Sequence, residues 1–336
     1  MKSEKSLWQN NFSHIYIEKN ALNFKYTHEI LSKLKNSNTI IIDDYMDFFS
    51  SSNQSFAAQK NSRKLILAVK KDNFLYAGAD VCENFGYDNF YYTTNVINCI
   101  FDCEYCFLQG VYNSANIVVF VNVENLFHEV KKMSSKEKIY ICISYNTDLL
   151  ALDNLLNLIE KWYNLVKENE NLTVELRTKS SNYKIFKKFQ PVDRFIIAYT
   201  ISPQEIIDLS ERGTANLNSR INSLEELSNV GMTIRICFDP LIYTKNFKKI
   251  YEALIDKIFT SNIKIENIKD VSIGVFRISK SYIKRIREQN KNSLLLSYPF
   301  VNEDGVYTYD ELLRKEMIET VRQKVLKYLP PEKIFI

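Results

Sequence analysis

From about residue 115 the chain alternates short β-rich apolar runs with longer stretches of helical periodicity. The runs Ile117–Asn122, Lys138–Ser144, Leu172–Thr178, Arg194–Ile201, Met232–Phe238 and Val271–Phe276 predict strands. Between them, Val123–Met133, Leu149–Glu168, Ile221–Asn229 and Lys248–Thr260 predict helices, with a weaker helical pattern at Asn182–Phe189 and a further helix at Ser279–Asn290. Strand–helix alternation of this kind reads as a parallel α/β sheet. Six units fit an incomplete (β/α)6 barrel better than an open doubly wound sheet, though periodicity alone does not separate closed from open. Residues 1–90 lack this regularity: IIIDDYMDFF and KLILAVKK are apolar runs separated by the polar SSSNQSFAAQKNSRK. The tail predicts a hairpin turning at NEDG (302–305), a helix at Asp310–Leu329 and a short strand near Ile334. The expected organisation is an N-terminal α/β extension (1–90) packed on a barrel (91–290), then a hairpin–helix segment (291–336).

Two strands carry an unusual pattern. In VELRTK, Glu175, Arg177 and Lys179 share one face opposite Val174, Leu176 and Thr178. In Met232–Asp239, Arg235, Cys237 and Asp239 oppose Ile234, Ile236 and Phe238. Parallel strands are usually buried on both faces. A charged face therefore implies either a polar lumen holding a charged ligand or an edge strand with structural ion pairs.

Composition narrows the class. Of 336 residues, 46% are hydrophobic and 25% charged, which excludes disordered and collagen-like chains. A net charge of +4 permits nucleic-acid binding without arguing for it. With only seven glycines and neither GxGxxG nor GxxxxGK[ST], Rossmann and P-loop chemistry is disfavoured. No run of about 18 uncharged apolar residues predicts a membrane span. The polar start MKSEKSLWQN has no apolar signal region, so the expected address is the cytoplasm.

The cysteines are Cys82, Cys99, Cys103, Cys106, Cys142 and Cys237. Three of them fall within eight residues, as Cys-x3-Cys-x2-Cys, with Tyr105 just before the last. Three thiolates on one short loop suit three irons of a 4Fe-4S cluster, which normally takes four cysteines. A missing fourth leaves one iron open, and open metal positions are where substrates coordinate. The amino-carboxylate end of S-adenosylmethionine fits such a position. Structural zinc is the rival, but it prefers four ligands, and His14, His28 and His128 all lie away from the loop. Chance clustering of buried cysteines is the other.

This loop resembles the signature of the radical S-adenosylmethionine superfamily. The ordered series CEYCFLQG, IVVFVNVENLF, NTDLLALDNL, VELRTKSS and AYTIS, with FSHIYIEKNAL near the start, resembles the spore photoproduct lyase family over roughly residues 12 to 260. The resemblance implies an incomplete (β/α)6 barrel of the radical type and a 4Fe-4S cluster held by Cys99, Cys103 and Cys106. It implies that Thr147, Lys179 and Thr200 contact S-adenosyl-L-methionine. The implied reaction splits the spore photoproduct thymine dimer of damaged DNA into two thymines, through a 5′-deoxyadenosyl radical and with return of hydrogen to the substrate. An electron donor such as ferredoxin or flavodoxin is the implied second partner.

Some positions depart from the family. Tyr145 stands where the family has a hydrogen-donating Cys, and Phe107 stands where it has a Tyr after the third cluster cysteine, while Tyr105 is kept. A thiol donates hydrogen readily and a tyrosine relays it, but Phe does neither. The return step then falls to Tyr145, Cys142 or Cys82, with Cys237 ranked last. On a continuous strand Cys142 and Tyr145 face opposite sides, so both could serve only if the strand ends between them. The family's basic aromatic hairpin, which contacts DNA, is matched here by the shorter LLLSYPFVNEDGVYTYDELLRK with the acidic tip Glu303–Asp304. Acidic residues oppose phosphate binding. Tyr298, Phe300 and Tyr307 either stack on bases or close a hydrophobic hairpin. On the preceding helix Lys280, Lys284 and Arg287 share a face, which is either a nucleic-acid contact or simply solvated. These departures keep two alternatives open: a diverged paralogue acting on another substrate, and a metal-binding module without turnover.

Overall fold

LILA at 65–68 and IVVF at 117–120 contain no polar position, as strands covered on both faces require. In the computed structural model, which describes residues 12–51, 54–79 and 82–336, all eight of these residues are buried. The polar N-terminal decapeptide, and the expectation drawn from it, lies outside the described residues.

The described chain divides into two units. The first draws on Met1–Ala79, Gly86–Ile100 and Val111–Val174, and the second on Asp80–Phe85, Phe101–Gly110 and Glu175–Ile336.

The first unit corrects the expectation that residues 1–90 are irregular. His14–Glu18 pairs in parallel with Asn38–Ile42 on one side and Leu65–Ala68 on the other. Leu65–Ala68 continues in parallel to Ile117–Phe120, and Val96–Ile97 closes that sheet antiparallel. The buried Glu18 carboxylate accepts the backbone N–H groups of Tyr45 and Val69 at 2.9 and 2.8 Å, tying two loops to the first strand. In the same unit Leu75–Ala77 pairs antiparallel with Phe90–Thr93, which runs parallel to Ile139–Cys142. The predicted helix Leu149–Glu168 is two helices, Leu149–Leu156 and Ile159–Glu168. Asn157 takes a left-handed conformation (φ 52°) at the break. The buried Asp153 carboxylate accepts the N–H groups of both Leu158 and Ile159, at 2.8 and 2.9 Å.

The second unit follows the predicted alternation closely. Leu172–Thr178 enters it at Glu175 and is followed across the sheet by Phe195–Thr200, Ile234–Leu241, Ile268–Val275 and Ile334–Phe335. The pairings onward from Phe195–Thr200 are parallel. Helices Leu217–Asn229 and Phe247–Phe259 connect the strands, and Lys280–Gln289 and Glu311–Val325 follow. The hairpin forms as Val301–Glu303 and Val306–Thr308, and its antiparallel sheet takes in Arg277–Ser279. The mixed α/β class with parallel strands is as expected. Among the described residues no helix is long and apolar enough to cross a membrane.

The charged strand faces are internal, so the edge-strand explanation is excluded for Ile234–Leu241, which has a neighbour on each side. Its charges pair with opposite charges on other segments. Arg235, with no exposed side-chain surface, binds both Glu175 and Asp270, its Nη2 donating to Asp270 at 2.7 Å. Its guanidinium lies 3.3 Å from the ring centre of Phe85. Arg177 donates to Glu175 at 3.0 Å and approaches Asp239 at 3.8 Å, and Arg277 meets Asp239 at 3.0 Å.

Candidate active site

In the second unit the cysteine loop is anchored by a two-residue antiparallel pairing, Cys103 with Glu211 and Asp102 with Arg212. The Glu104 N–H donates to the Ser210 carbonyl at 2.8 Å, and the Cys106 N–H closes a turn onto the Cys103 carbonyl at 3.1 Å. Gln109, on the short helix beginning at Leu108, donates its side-chain amide to the Cys103 carbonyl at 2.6 Å. Cys103 is buried and Cys106 half-buried.

Around this loop stands a buried polar cluster. The Tyr105 hydroxyl donates to Glu211, which also binds Arg220 and accepts from the Ser202 hydroxyl at 3.1 Å. Arg220 donates onward to the Thr200 carbonyl at 3.0 Å and the Ala215 carbonyl at 2.9 Å. The Lys179 ammonium lies 5.6 Å from the ring centre of Tyr105. Burial lowers the basicity of Lys179, but the Cys103 thiol, Glu211 and Cys106 outweigh it, so its pKa is raised overall. Burial alone would raise the Glu211 pKa, yet Arg220 and Lys179 hold it below the usual carboxylate value. Burial and the Glu211 charge push the Tyr105 phenol well upward. The second unit thus brings together Cys103, Cys106, Tyr105, Lys179 and the backbone of Thr200.

Cys82 is a half-buried member of the same unit. The Arg277 guanidinium is held in its charged form chiefly by Asp239, against its burial, with a further contribution from Cys82.

The first unit holds Cys99, Cys142, Tyr145 and Thr147. Asn98 precedes the first of the three loop cysteines in a left-handed conformation (φ 68°). Its amide donates to the carbonyls of Ser114 and Asn116 at 2.7 and 2.8 Å, which fixes the chain direction at Cys99. Cys99 itself is half-buried. The Thr147 hydroxyl is buried with no hydrogen-bond partner among the described residues, as are the Thr93 hydroxyl and the Asn95 amide nitrogen. These residues flank the Asn146–Thr94 side-chain hydrogen bond of 2.9 Å. Buried polar groups are rarely left unpaired, so such atoms suit a bound polar molecule that completes them. The strand Ile139–Cys142 does end between Cys142 and Tyr145. Tyr92 is the register partner of Cys142, and the Tyr145 ring stacks on it with centres 4.3 Å apart. Cys142 is buried, and Cys237 is fully buried in the second unit with its thiol pKa raised by burial.

Among the described residues no group of three or more His, Cys, Asp or Glu side chains forms a ready metal cage. The donor chemistry is what fits: thiolates are the ligands of iron–sulfur clusters, and Lys179 supplies compensating charge beside two of them.

Glu211, Arg220, Ser202 and Gln109 were not singled out from sequence. Arg220 did leave a signal. It falls within the apolar stripe Leu217, Ile221 and Leu224 of its helix, where a charge demands a buried partner. The hairpin aromatics resolve mainly toward packing. Tyr298 and Phe300 join Tyr309 and Phe276 in one aromatic cluster, with centres 4.9 to 5.2 Å apart.

Comparison with known proteins agrees with the fold. Two solved structures share the fold. One is a spore photoproduct lyase mutant with bound AdoMet and dinucleoside spore photoproduct, at a TM-score of 0.83 and 15% identity, covering 96% of this chain and 97% of that one. The other is a spore photoproduct lyase complexed with dinucleoside spore photoproduct, at a TM-score of 0.82 and 16% identity with the same coverage. A spore photoproduct lyase of Clostridium acetobutylicum is 22% identical over 258 residues, 74% of each chain. The sequence profile of the spore photoproduct lyase family matches residues 11–334, so the chain belongs to that family.

Proposed function

We propose that the chain is a radical S-adenosylmethionine lyase that splits the spore photoproduct thymine dimer into two thymines. The observation that carries this reading is the family match across residues 11–334, which includes the intact Cys-x3-Cys-x2-Cys loop. Cys99, Cys103 and Cys106 would hold a 4Fe-4S cluster, and Thr147, Lys179 and Thr200 the S-adenosylmethionine. When bound, the two together supply a 5′-deoxyadenosyl radical able to take hydrogen from the dimer. The chain's own residues do the rest. Lys179 keeps its charge in a buried setting, which suits a ligand carboxylate as a point charge. The Thr147 hydroxyl, without a partner among the described residues, suits one hydrogen bond from the ligand. Tyr105 is held through Glu211 in one orientation beside the loop. Electrons would come from a small cytoplasmic carrier such as ferredoxin or flavodoxin.

For the return of hydrogen we favour Cys82. It is half-buried, whereas Cys142 is buried and the Tyr145 ring is packed on Tyr92. The test is an anaerobic reaction with reconstituted cluster, dithionite, S-adenosylmethionine and an oligonucleotide bearing the lesion. Lesion-dependent thymine release is expected. Cys82→Ala should cut thymine release by tenfold or more, by roughly 1.4 kcal/mol or more of barrier, while 5′-deoxyadenosine still forms; Cys142→Ala and Tyr145→Phe should cost less. Formation of 5′-deoxyadenosine over an intact lesion in the unsubstituted protein would instead identify a paralogue with another substrate.

A further inference from the structure

The helix Lys280–Gln289 buries Ile283 and Ile286 and leaves Lys280, Lys284, Arg287 and Glu288 exposed. With Lys291 and the hairpin residue Tyr307, these side chains line an open groove of about 590 Å³. Four cations face one carboxylate there. Lys280, Lys284 and Lys291 form no ion pair among the described residues. The neighbouring helix Glu311–Val325 behaves as an ordinary solvated face: Arg314, Lys315, Arg322 and Lys324 each pair with a carboxylate. A solvated surface mixes its charges, whereas this groove keeps one sign unpaired over an extended row. At a rise of 1.5 Å per residue, Lys280 to Arg287 spans about 10 Å along the axis, too long for one small anion but suited to successive phosphates.

The reverse side of the helix is fastened to the cluster loop. An added Cβ on Gly110 would sit 2.4 Å from Tyr282, so only glycine allows this approach. Arg285 donates to the Gly110 carbonyl at 3.2 Å, and Asn290 donates at 2.8 Å to Gln109, which itself holds the Cys103 carbonyl. Arg287 also braces the chain before the hairpin, through the carbonyls of Leu296 at 2.9 Å and Tyr298 at 3.2 Å. A strand in the groove would therefore lie one helix diameter, about 10–12 Å, from the loop. That is the place of backbone flanking a lesion and not of the reacting thymines.

We infer that this groove is a phosphate-backbone site that holds the DNA strand flanking the lesion through Lys280, Lys284 and Lys291. The inference rests on the lyase reading above. Contacts of this kind set register without reading sequence. The test is equilibrium binding of a lesion-bearing duplex between about 50 and 200 mM KCl, using the protein and its Lys280→Gln, Lys284→Gln, Lys291→Gln triple variant. Each lost phosphate contact should lower the slope of log affinity against log salt by about 0.9. Undamaged duplex should weaken equally. Turnover of the dinucleoside lesion, which has no flanking backbone, should be unchanged. An unchanged slope overturns the inference, and so does an equal loss of turnover on the dinucleoside. Absence of thymine release from either substrate by the unsubstituted protein would refute the lyase reading instead, and the salt slopes, which need no turnover, would still decide the groove.

Discussion

Glu211 and Arg220 are both without exposed side-chain surface, and each is the other's main counter-charge. Breaking such a pair from one side leaves a buried charge uncompensated, which costs about 3–5 kcal/mol. Arg220→Met should therefore lower the unfolding free energy by about that amount, read from anaerobic urea titration. Glu211→Gln breaks the same pair from the other side and leaves Arg220 and Lys179 buried without their carboxylate, so it should cost a similar amount. A loss well below this range for Glu211→Gln would mean that the packing of the Arg220 side chain, and not the charge, sets the stability. Lys179 and the three loop cysteines stood out in the sequence through spacing and likeness. Glu211 did not, because it comes from a polar stretch, SERGTANLNSR, in which nothing local distinguishes a buried carboxylate from an exposed one.

At the level of elements, the parallel strands were legible because burial on both faces leaves them largely apolar, as in Ile117–Phe120 and the first four residues of Phe195–Thr200. The break at Asn157 was not, since LDNLLNLIEKW keeps a helical apolar pattern with neither Gly nor Pro. What stops the first helix is Asn157 in the left-handed region, and what starts the second is Asp153 reaching forward to two N–H groups. Lys33 adds a cation at the first helix's end, donating to the carbonyls of Asn154 and Leu155 at 3.0 and 2.9 Å. Asp153→Ala should then cost about 1–2 kcal/mol, the range for losing a capping side chain. The loss should appear as faster amide exchange at Leu158 and Ile159 than at Trp162. Uniform exchange along the second helix would show that Asp153 is not its cap. The early strands showed only as isolated apolar runs, without a regular alternation, for a different reason. Asn38–Ile42 is exposed at four of its five positions and gains its order from pairing with His14–Glu18, a partner 24 residues away in register.

At the scale of the whole molecule, charges that looked like a ligand-binding face are in large part a structural network spread over several strands. Arg235 reaches Glu175 across a sequence separation of 60 and Asp270 across 35, distances at which no local pattern reveals a partner. Replacing Arg235 by Met would leave the buried Glu175 and Asp270 carboxylates without the cation they share, Glu175 keeping only Arg177. Like charges in a desolvated site cannot both ionise cheaply, so at least one would bind a proton in the folded variant. Its folded pKa would then lie above the unfolded value of about 4. A carboxylate shifted in that direction penalises folding above its unfolded pKa, and the penalty shrinks as pH falls toward it. The variant should therefore trail the unsubstituted protein by about 3–5 kcal/mol near neutrality. The gap, read from urea titrations from about pH 8 down to about pH 5, should narrow steadily with acidification. Adding Glu175→Gln and Asp270→Asn to Arg235→Met should restore much of the loss and flatten the pH dependence, because neither of the two carboxylates that faced Arg235 then carries a charge. A gap that stays constant with pH, or a triple variant no better than the single one, would place the cost in packing against Phe85 and not in charge.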